Sequence, residues 1–439
     1  MPRYYIATYG CQMNEYDSGL IAKILDDAGY SPTEDSALAD VLLFNTCSVR
    51  EKAEESAIAR ISKMKPYKEN NPDLKIVVTG CMAENLKDSL LKKRHIIDFV
   101  VGPDSYRKLP EILAKVPSKR NRAARVFAEF DTNENYTGLS AVNPYPFSAY
   151  VAIQRGCNKH CSYCIVPYVR GPEKYRDAQD VLREVRELAA KGVSEVALLG
   201  QTVNAYKNGN DDFAALLNKV SEVDGIRRIR FTSPHPKHYT PALIDTILGN
   251  PKICPHVHLP LQSGSDAMLK KMHRQHTADE FLRIVEKFRG KDPLYGLSTD
   301  IICGFVGETD DDFEQTLKIV REAQFDSAFM FIYSPRPGTE SAREAETLTP
   351  EQKLERHGRL VELQNAITLE RNKLMLGRRE EILVERPSSK DPSEWVGKTG
   401  NFKKVVFRPS REVRPGDYLV CNIDDIRGWT LRGTPVDKE

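Results

Sequence analysis

Residues Cys157-Asn-Lys-His-Cys161-Ser-Tyr-Cys164 place three thiols within eight positions, spaced C-x3-C-x2-C, directly after the alternating run Tyr150-Val-Ala-Ile-Gln-Arg-Gly156. Thiolates this close on one loop converge on a compact metal centre, as iron–sulfur clusters require. A tetrahedral zinc site needs a fourth protein ligand, and His160 is the only nearby candidate. Three cysteines without a fourth point instead to a four-iron cluster with one iron left open to a substrate or cofactor.

Outward from this loop, residues 147–371 repeat strand, loop and helix. Strands are expected at 150–154, 195–199, 228–231, 256–259, 297–302 and 328–333, and helices at 178–191, 212–222, 241–248, 278–289 and 311–323. Such units predict a parallel (β/α)6 sheet, an incomplete barrel open on one side. The thiol loop follows its first strand, on the face where barrel enzymes carry their chemistry. Other strand ends there are polar and rich in glycine: Gly200-Gln201-Thr202, Ser233-Pro-His235-Pro, Gln262-Ser263-Gly264-Ser265 and Gly304-Phe-Val-Gly307-Glu308.

The first ~145 residues read as an open parallel α/β domain, with strands at 4–9, 40–45, 75–79 and 97–101 and helices at 15–28 and 48–65. Three of these strands run straight into a cysteine: Tyr9-Gly10-Cys11, Asn45-Thr46-Cys47 and Thr79-Gly80-Cys81. Their spacings of 36 and 34 residues match one strand–helix–strand unit each, which brings the thiols to one sheet edge. Lone buried cysteines are ordinary core residues. Three at equivalent strand ends predict a second metal cluster. A helix at 105–115 and a basic stretch (Lys119, Arg120, Arg122, Arg125) follow, and the domain boundary is placed near Pro146.

Residues 350–376 read as an amphipathic helix with apolar Leu354, Leu360, Val361, Leu363, Ile367 and Leu374. Beyond it, short β runs at 381–385, 403–407, 418–423 and 429–432 predict a small all-β barrel. In it, Phe402, Lys403, Lys404, Phe407, Arg408, Arg411 and Arg414 interleave bases with aromatics, a pattern suited to phosphate contact and base stacking.

Composition sets the outer limits. Hydrophobic content of 40% with 29% charged residues describes a folded globular chain of about two to four domains. Lys+Arg 64 against Asp+Glu 62 leaves a formal net charge of +2, so contact with nucleic acid must come from a local patch. The opening decapeptide lacks the flank and core of a signal peptide, and no apolar run nears the ~20 residues that span a bilayer. Nine cysteines, an odd number, fit a reducing compartment better than a disulfide framework. The cytoplasm is the expected location, with no membrane partner.

Several stretches act together: Gly10-Cys11-Gln12-Met13-Asn14, Asn45-Thr46-Cys47-Ser48-Val49-Arg50, Thr79-Gly80-Cys81-Met82-Ala83, and Arg155-Gly-Cys157 through Arg170-Gly171. They continue in Gly200-Gln-Thr-Val-Asn204, His258-Leu-Pro-Leu-Gln-Ser-Gly-Ser265, Ser298-Thr-Asp-Ile301 and Arg336-Pro-Gly-Thr339. In this set the chain resembles the radical S-adenosylmethionine (SAM) methylthiotransferases, closest to the branch that acts on tRNA. The resemblance implies three parts: a three-cysteine methylthiotransferase domain (1–145), a radical-SAM partial barrel (146–372) and a TRAM RNA-binding domain (373–439). It implies two 4Fe-4S clusters, one on Cys157, Cys161 and Cys164 and one on Cys11, Cys47 and Cys81, all six taking part in catalysis. SAM would lie against Tyr163, Gly200, Gln201, Gln262, Ser263, Gly304 and Glu308, and RNA against Phe402, Lys403, Lys404, Arg408, Arg411 and Arg414.

The activity so implied is addition of a methylthio group to C2 of N6-isopentenyladenosine beside the anticodon, by radical hydrogen abstraction and sulfur transfer from the second cluster. Implied partners are the tRNA anticodon arm, an electron-donating reductase and a sulfur donor. Val306, Cys303 and Thr202 depart from the family's usual residues near the SAM pocket. Other readings are action on a ribosomal-protein aspartate, action on a threonylcarbamoyl-modified tRNA adenosine, and a noncatalytic RNA-binding iron–sulfur protein.

Overall fold

Every residue of the Val41–Thr46 strand is buried, the mark of a parallel strand covered on both faces. The computed structural model describes residues 1–48, 51–117 and 121–436. Lys119 and Arg120 of the basic stretch, and Val49-Arg50 of the second cysteine motif, lie outside the described residues. Six parallel strands form the N-terminal sheet: β1 (Arg3–Thr8), β2 (Ser31–Pro32), β3 (Val41–Thr46), β4 (Lys75–Gly80), β5 (Phe99–Val101) and β6 (Val126–Phe127), in the order β2-β1-β3-β4-β5-β6. The sequence indicated four. The two additions are two-residue edges with too little periodicity to register. Alternate core residues part to opposite faces: Leu43 and Val77 meet Met13, Leu20 and Ile24 of the Gln12–Asp27 helix, while Leu42, Phe44, Ile76 and Val78 meet Ala57 and Ile61.

Arg125 does not face solvent as its place in the basic stretch implied. It is buried, and its Nε donates to the Asp98 carbonyl at 2.7 Å.

The central part holds β7 (Ser148–Ala152), β8 (Glu195–Leu199), β9 (Arg228–Phe231), β10 (His256–His258), β11 (Gly296–Cys303) and β12 (Ser327–Ile332). All pairings are parallel, in two three-stranded halves ordered β9-β8-β7 and β10-β11-β12. Among the described residues one isolated bridge, Ile229 with Ile253, joins the halves. Pro251 and Pro255 flank that bridge, and neither supplies a backbone N–H to extend the ladder. The surrounding helices are well capped; Thr277 with Glu280 and Thr309 with Asp312 form reciprocal capping boxes.

The Pro350–Lys373 helix buries a stripe unlike the expected apolar one. Lys353, Arg356, Leu360, Gln364, Ile367 and Arg371 point inward, whereas Leu354 and Leu374 are exposed. The charged members are held by Glu346, by Glu308 and Asp310, and by Asp326.

Downstream, β13 (Arg379–Pro387), β14 (Trp395–Thr399), β15 (Lys404–Phe407), β16 (Tyr418–Arg427) and β17 (Thr430–Val436) close into a barrel in the order β13-β14-β15-β17-β16. The sequence missed β14, whose central Gly397 breaks the β signal. A Cβ there would lie 2.8 Å from the Leu383 carbonyl, so close pairing demands the glycine. Arginines of β9 fasten the barrel: Arg228 donates to the carbonyls of Lys398 and Glu381, and Arg230 to those of Thr399 and Gly400. No helix among the described residues is long and apolar enough to cross a membrane.

Candidate active site

Register levels the ends of β1, β3 and β4: Thr8 lies opposite Asn45, and Thr46 opposite Gly80. Cys11, Cys47 and Cys81 leave this sheet edge together. Cys11 caps the Gln12–Asp27 helix, and Cys81 opens the Cys81–Leu86 helix. The backbone around them is bound into one unit by buried amides. Asn14 Nδ2 donates to Asn45 Oδ1 at 3.1 Å and to the Thr46 carbonyl at 3.2 Å, while Asn45 Nδ2 donates to the Asn14 carbonyl at 2.8 Å. Gly10 and Gly80 take positive φ here. A Cβ on Gly10 would lie 2.6 Å from Cys47 Cβ, and one on Gly80 would lie 2.4 Å from the Thr46 carbonyl. Both glycines therefore keep the thiols close.

Cys157 follows Gly156, another positive-φ glycine whose Cβ would strike the Pro172 carbonyl. The Cys157 N–H donates to the Gly171 carbonyl at 3.0 Å, and its Sγ lies 3.5 Å from Thr202 Oγ1. Cys161 is buried and receives the Arg274 guanidinium at 3.6 Å. Burial pushes the Cys164 thiol up to about 12, with Cys161 adding to the rise. Cys81 is likewise pushed to about 11 by burial, against the opposing pull of Arg170. Metal binding to such thiols displaces protons.

Among the described residues no three ligand groups are already gathered into metal-holding geometry. The two thiol trios nevertheless fit cluster ligation: each is grouped on loops that glycines keep tight, and each has an arginine turned toward one of its sulfurs. His160, the candidate fourth zinc ligand, is exposed.

The link between the trios is a chain of buried charge. Asp17 sits between Arg155 Nη2 at 2.5 Å and Arg170 Nη1 at 2.6 Å, and Arg170 Nε donates to Cys81 Sγ at 3.0 Å. Burial alone would raise the Asp17 carboxyl; Arg155 and Arg170 hold it below its usual range. Cys81 also packs on Ile165 and on Val169 of the short Val166–Arg170 helix that Ile165 precedes. Arg155 and Arg170 stood in the quoted motifs but without a role. Nothing in the sequence marked Asp17, because its partners Tyr106, Arg155 and Arg170 are all remote along the chain.

The expected SAM residues fall into two groups. Gln154 Oε1 accepts from the N–H groups of Gln201 and Thr202, which fits the Gly200 turn tightly over β7. Gln201 Oε1 is buried with no hydrogen-bond partner among the described residues, an acceptor suited to an ammonium or N–H donor. Tyr163 packs beside Ile302 and meets Phe305 edge-on at 6.3 Å. By contrast, Ser263 is fully buried against Thr316, and Gln262 holds a positive-φ turn bonded to Asp300 and Ile302. Glu308 accepts from the Gly304 N–H and pairs with Arg356 at 2.5 Å. Through these contacts Ser263 and Glu308 brace their loops.

In the C-terminal barrel, Lys404, Arg408, Arg411 and Arg414 are exposed. Lys403 is not. It is buried, paired with Asp326 at 2.8 Å and bonded to Asn372, so it docks the barrel rather than facing RNA. Lys403 lies just before β15 and faces the central part, whereas Lys404 opens the strand and is exposed. Phe407 lies in the barrel core, and Phe402 stacks on His256 with ring centroids 4.7 Å apart.

Comparisons with known proteins agree with this layout. Residues 3–102 match an uncharacterized protein family, UPF0004, residues 151–320 the Radical SAM superfamily, and residues 373–436 the TRAM domain. A tRNA-2-methylthio-N(6)-dimethylallyladenosine synthase of Dictyoglomus thermophilum is 41% identical over 438 residues, and one of Carboxydothermus hydrogenoformans is 43% identical; both alignments cover 99% of each chain. In fold, the chain is similar to the radical S-adenosylmethionine methyltransferase TsrM from Kitasatospora setae, at TM-score 0.58 and 13% identity, over 78% of this chain and 75% of that one. The cobalamin-dependent radical enzyme OxsB matches at TM-score 0.54 and 12% identity, over 92% of this chain and 64% of that one. The chain belongs to the family of the tRNA-2-methylthio-N(6)-dimethylallyladenosine synthases, within the radical SAM superfamily.

Proposed function

We propose that this chain adds a methylthio group to C2 of N6-dimethylallyladenosine beside the anticodon of tRNA. The observation that carries the reading is the pairing of two thiol trios across the Asp17–Arg170 bridge in a chain aligned end to end with synthases of that name. Cys157, Cys161 and Cys164 would hold one 4Fe-4S cluster, and Cys11, Cys47 and Cys81 a second. When bound, these groups and SAM supply the radical that removes hydrogen from C2 and the sulfur that replaces it.

The protein's own residues position and shield. Gln201 Oε1 offers an acceptor for the SAM ammonium, and Tyr163 an aromatic wall for its adenine. Arg274 and Arg170 each direct a guanidinium toward one thiol of a trio, neutralising charge where thiolates gather. Lys404, Arg408, Arg411 and Arg414 would meet backbone phosphates, and the adenosine would be flipped into the barrel mouth.

Parts 1–145, 146–372 and 373–439 divide this work, in the cytoplasm, with a reductase and a sulfur donor as partners. The test is anaerobic incubation of cluster-loaded protein with SAM, reductant and tRNA carrying dimethylallyladenosine, followed by mass spectrometry of the nucleosides. The expected result is the methylthio increment on that adenosine together with 5′-deoxyadenosine. An increment found on a ribosomal protein and never on tRNA overturns the reading.

A further inference from the structure

The inner wall of the central barrel carries side chains that neither thiol trio nor the polar turns account for. Val257, Leu259, Leu297, Ile301 and Cys303 pack outward on the helices. Alternation therefore turns His256, His258, Ser298, Asp300 and Ile302 into the lumen. Register pairs Asp300 with Phe329 and Ile302 with Phe331, so these partners share that face. Hydrogen bonds tie the wall together: His256 Nε2 and His258 Nδ1 each lie 3.0 Å from Ser298 Oγ, and His258 Nε2 lies 3.2 Å from Asp300 Oδ2. Phe329 meets His258 at 6.3 Å yet remains 53% exposed. Scattered exposed apolar residues on a convex surface are ordinary. A half-open ring beside a carboxylate inside a concave wall is the usual make-up of a ligand site.

One end of this wall is covered by the C-terminal barrel. At the amino-terminal ends of the strands the Thr399–Phe402 turn closes the lumen, with Phe402 on His256 and Arg230 donating to the Thr399 and Gly400 carbonyls. At the opposite end Ile302 packs in the same apolar group as Tyr163, the neighbour of Cys164. Asp300 and Phe329 lie two residues deeper along their strands, about 7 Å from that level. A base entering from the thiol end would therefore meet this row next.

We propose that the Asp300–Phe329 row is the seat for the alkylated edge of the substrate adenine, with Phe329 covering the dimethylallyl chain and Asp300 accepting the N6–H. This deepens, and rests on, the substrate reading above. On adenine, C2, N1 and N6 share one edge, so a base that turns C2 toward the thiol loop projects its N6 substituent along the same wall. A branched hydrocarbon chain gains by leaving water against an aromatic ring. The carboxylate meanwhile supplies an acceptor for the one N–H that alkylation leaves on N6.

The test uses full-length, cluster-loaded protein with SAM and two fluorescent anticodon stem-loops, one with dimethylallyladenosine and one with adenosine at the same position. Wild type should bind the alkylated stem-loop about tenfold or more tightly, the scale of apolar discrimination in a pocket. Phe329→Ala should remove most of that preference through weaker binding of the alkylated stem-loop alone, and Phe329→Leu should keep part of it. Phe329 is more than half exposed, so its truncation opens no core cavity; circular dichroism and iron content should match wild type. A Phe329→Ala protein that keeps the wild-type ratio, or that loses both stem-loops equally, overturns the seat. So does a wild type without preference. If that wild type still methylthiolates tRNA, only the seat fails; if no tRNA is ever methylthiolated, the parent reading fails as well.

Discussion

The two thiol trios reach similar environments by different routes. Cys157, Cys161 and Cys164 come from one loop, and their grouping is local. Cys11, Cys47 and Cys81 come from the ends of three strands, and only parallel register brings them together. The first trio therefore depends on loop geometry at Gly156 and Thr202, the second on the whole sheet and on the Asn14–Asn45 amide pair. A local trio should survive damage elsewhere, and a tertiary one should not.

The sharpest way to break that comparison is to delete each trio. Replacing Cys157, Cys161 and Cys164 with Ala should abolish SAM cleavage while leaving about one cluster's worth of iron. Replacing Cys11, Cys47 and Cys81 should leave 5′-deoxyadenosine formation and end methylthiolation. Iron and sulfide analysis, alongside chromatography of the nucleoside products, checks both. A loop-trio mutant devoid of iron would mean that the two sites do not load independently.

Next in size are the buried ion clusters: breaking an isolated buried pair costs about 3–5 kcal/mol, and less is expected here because Asp17 keeps Arg155 and Asp326 keeps Arg289 and Arg371. Arg170→Met leaves Asp17 with Arg155 and the Tyr106 hydroxyl and takes the guanidinium from Cys81. It should lower the unfolding midpoint and deplete iron from the tertiary trio before the loop trio, as read by electron paramagnetic resonance. Equal depletion at both would contradict the asymmetry. Lys403→Ala should also destabilise, by freeing the C-terminal barrel from Asp326, with hydrogen exchange rising along β15.

Acid should act mainly on the central part. Burial, with Arg274 adding to it, lowers the His276 imidazole to about 3, and burial lowers His238 to about 4. His235 falls as well, for the same reason and through Arg274. These rings are neutral in the folded chain, so the unfolded chain binds more protons once pH drops below about 6.5. Stability is then whole above that value and declines as pH falls toward 4 and 3. For His276 the loss is at most about 1.4 kcal/mol per pH unit. Hydrogen exchange of the metal-free protein at pH 7.5 and 5.5 should show β9 and β10 loosening first, with β3 and β4 retained. A uniform loss would place the acid-sensitive groups elsewhere.

What the sequence revealed divides along the same line of local against tertiary. The C-x3-C-x2-C spacing, the strands that run into Cys11, Cys47 and Cys81, and the five longer helices between residues 178 and 323 are written in neighbouring residues; the short Val166–Arg170 and Asp266–Lys271 helices were missed. The bridge between the barrel halves pairs Ile229 with Ile253, residues whose partnership no local pattern announces. The polar stripe of the Pro350–Lys373 helix looked like solvent-facing charge, because its partners Glu308 and Asp326 come from other elements. Asp17 was silent for that reason too. The bracing contacts of Ser263 and Glu308 were not legible, because a polar residue in a glycine-rich turn serves a ligand and a loop brace equally well until its partners are known.

The smallest expected effect separates two adjacent lysines, and it tests whether the local pattern in the C-terminal barrel was read on the right face. Lys404 is exposed beside Arg408, whereas Lys403 is committed to Asp326. If Lys404 meets a phosphate, Lys404→Ala should weaken tRNA binding only a few-fold and reduce the slope of log affinity against log salt by about one. It should leave the unfolding midpoint within about 0.5 kcal/mol of wild type, because an exposed lysine away from caps and buried pairs contributes little to stability. Lys403→Ala should show the reverse order, with a large loss of stability and no change in salt slope for the fraction that remains folded. Fluorescence anisotropy across a salt series, paired with urea unfolding, distinguishes the two. An unchanged salt slope for Lys404→Ala would remove that residue from the RNA surface and leave Arg408, Arg411 and Arg414 to carry the contact.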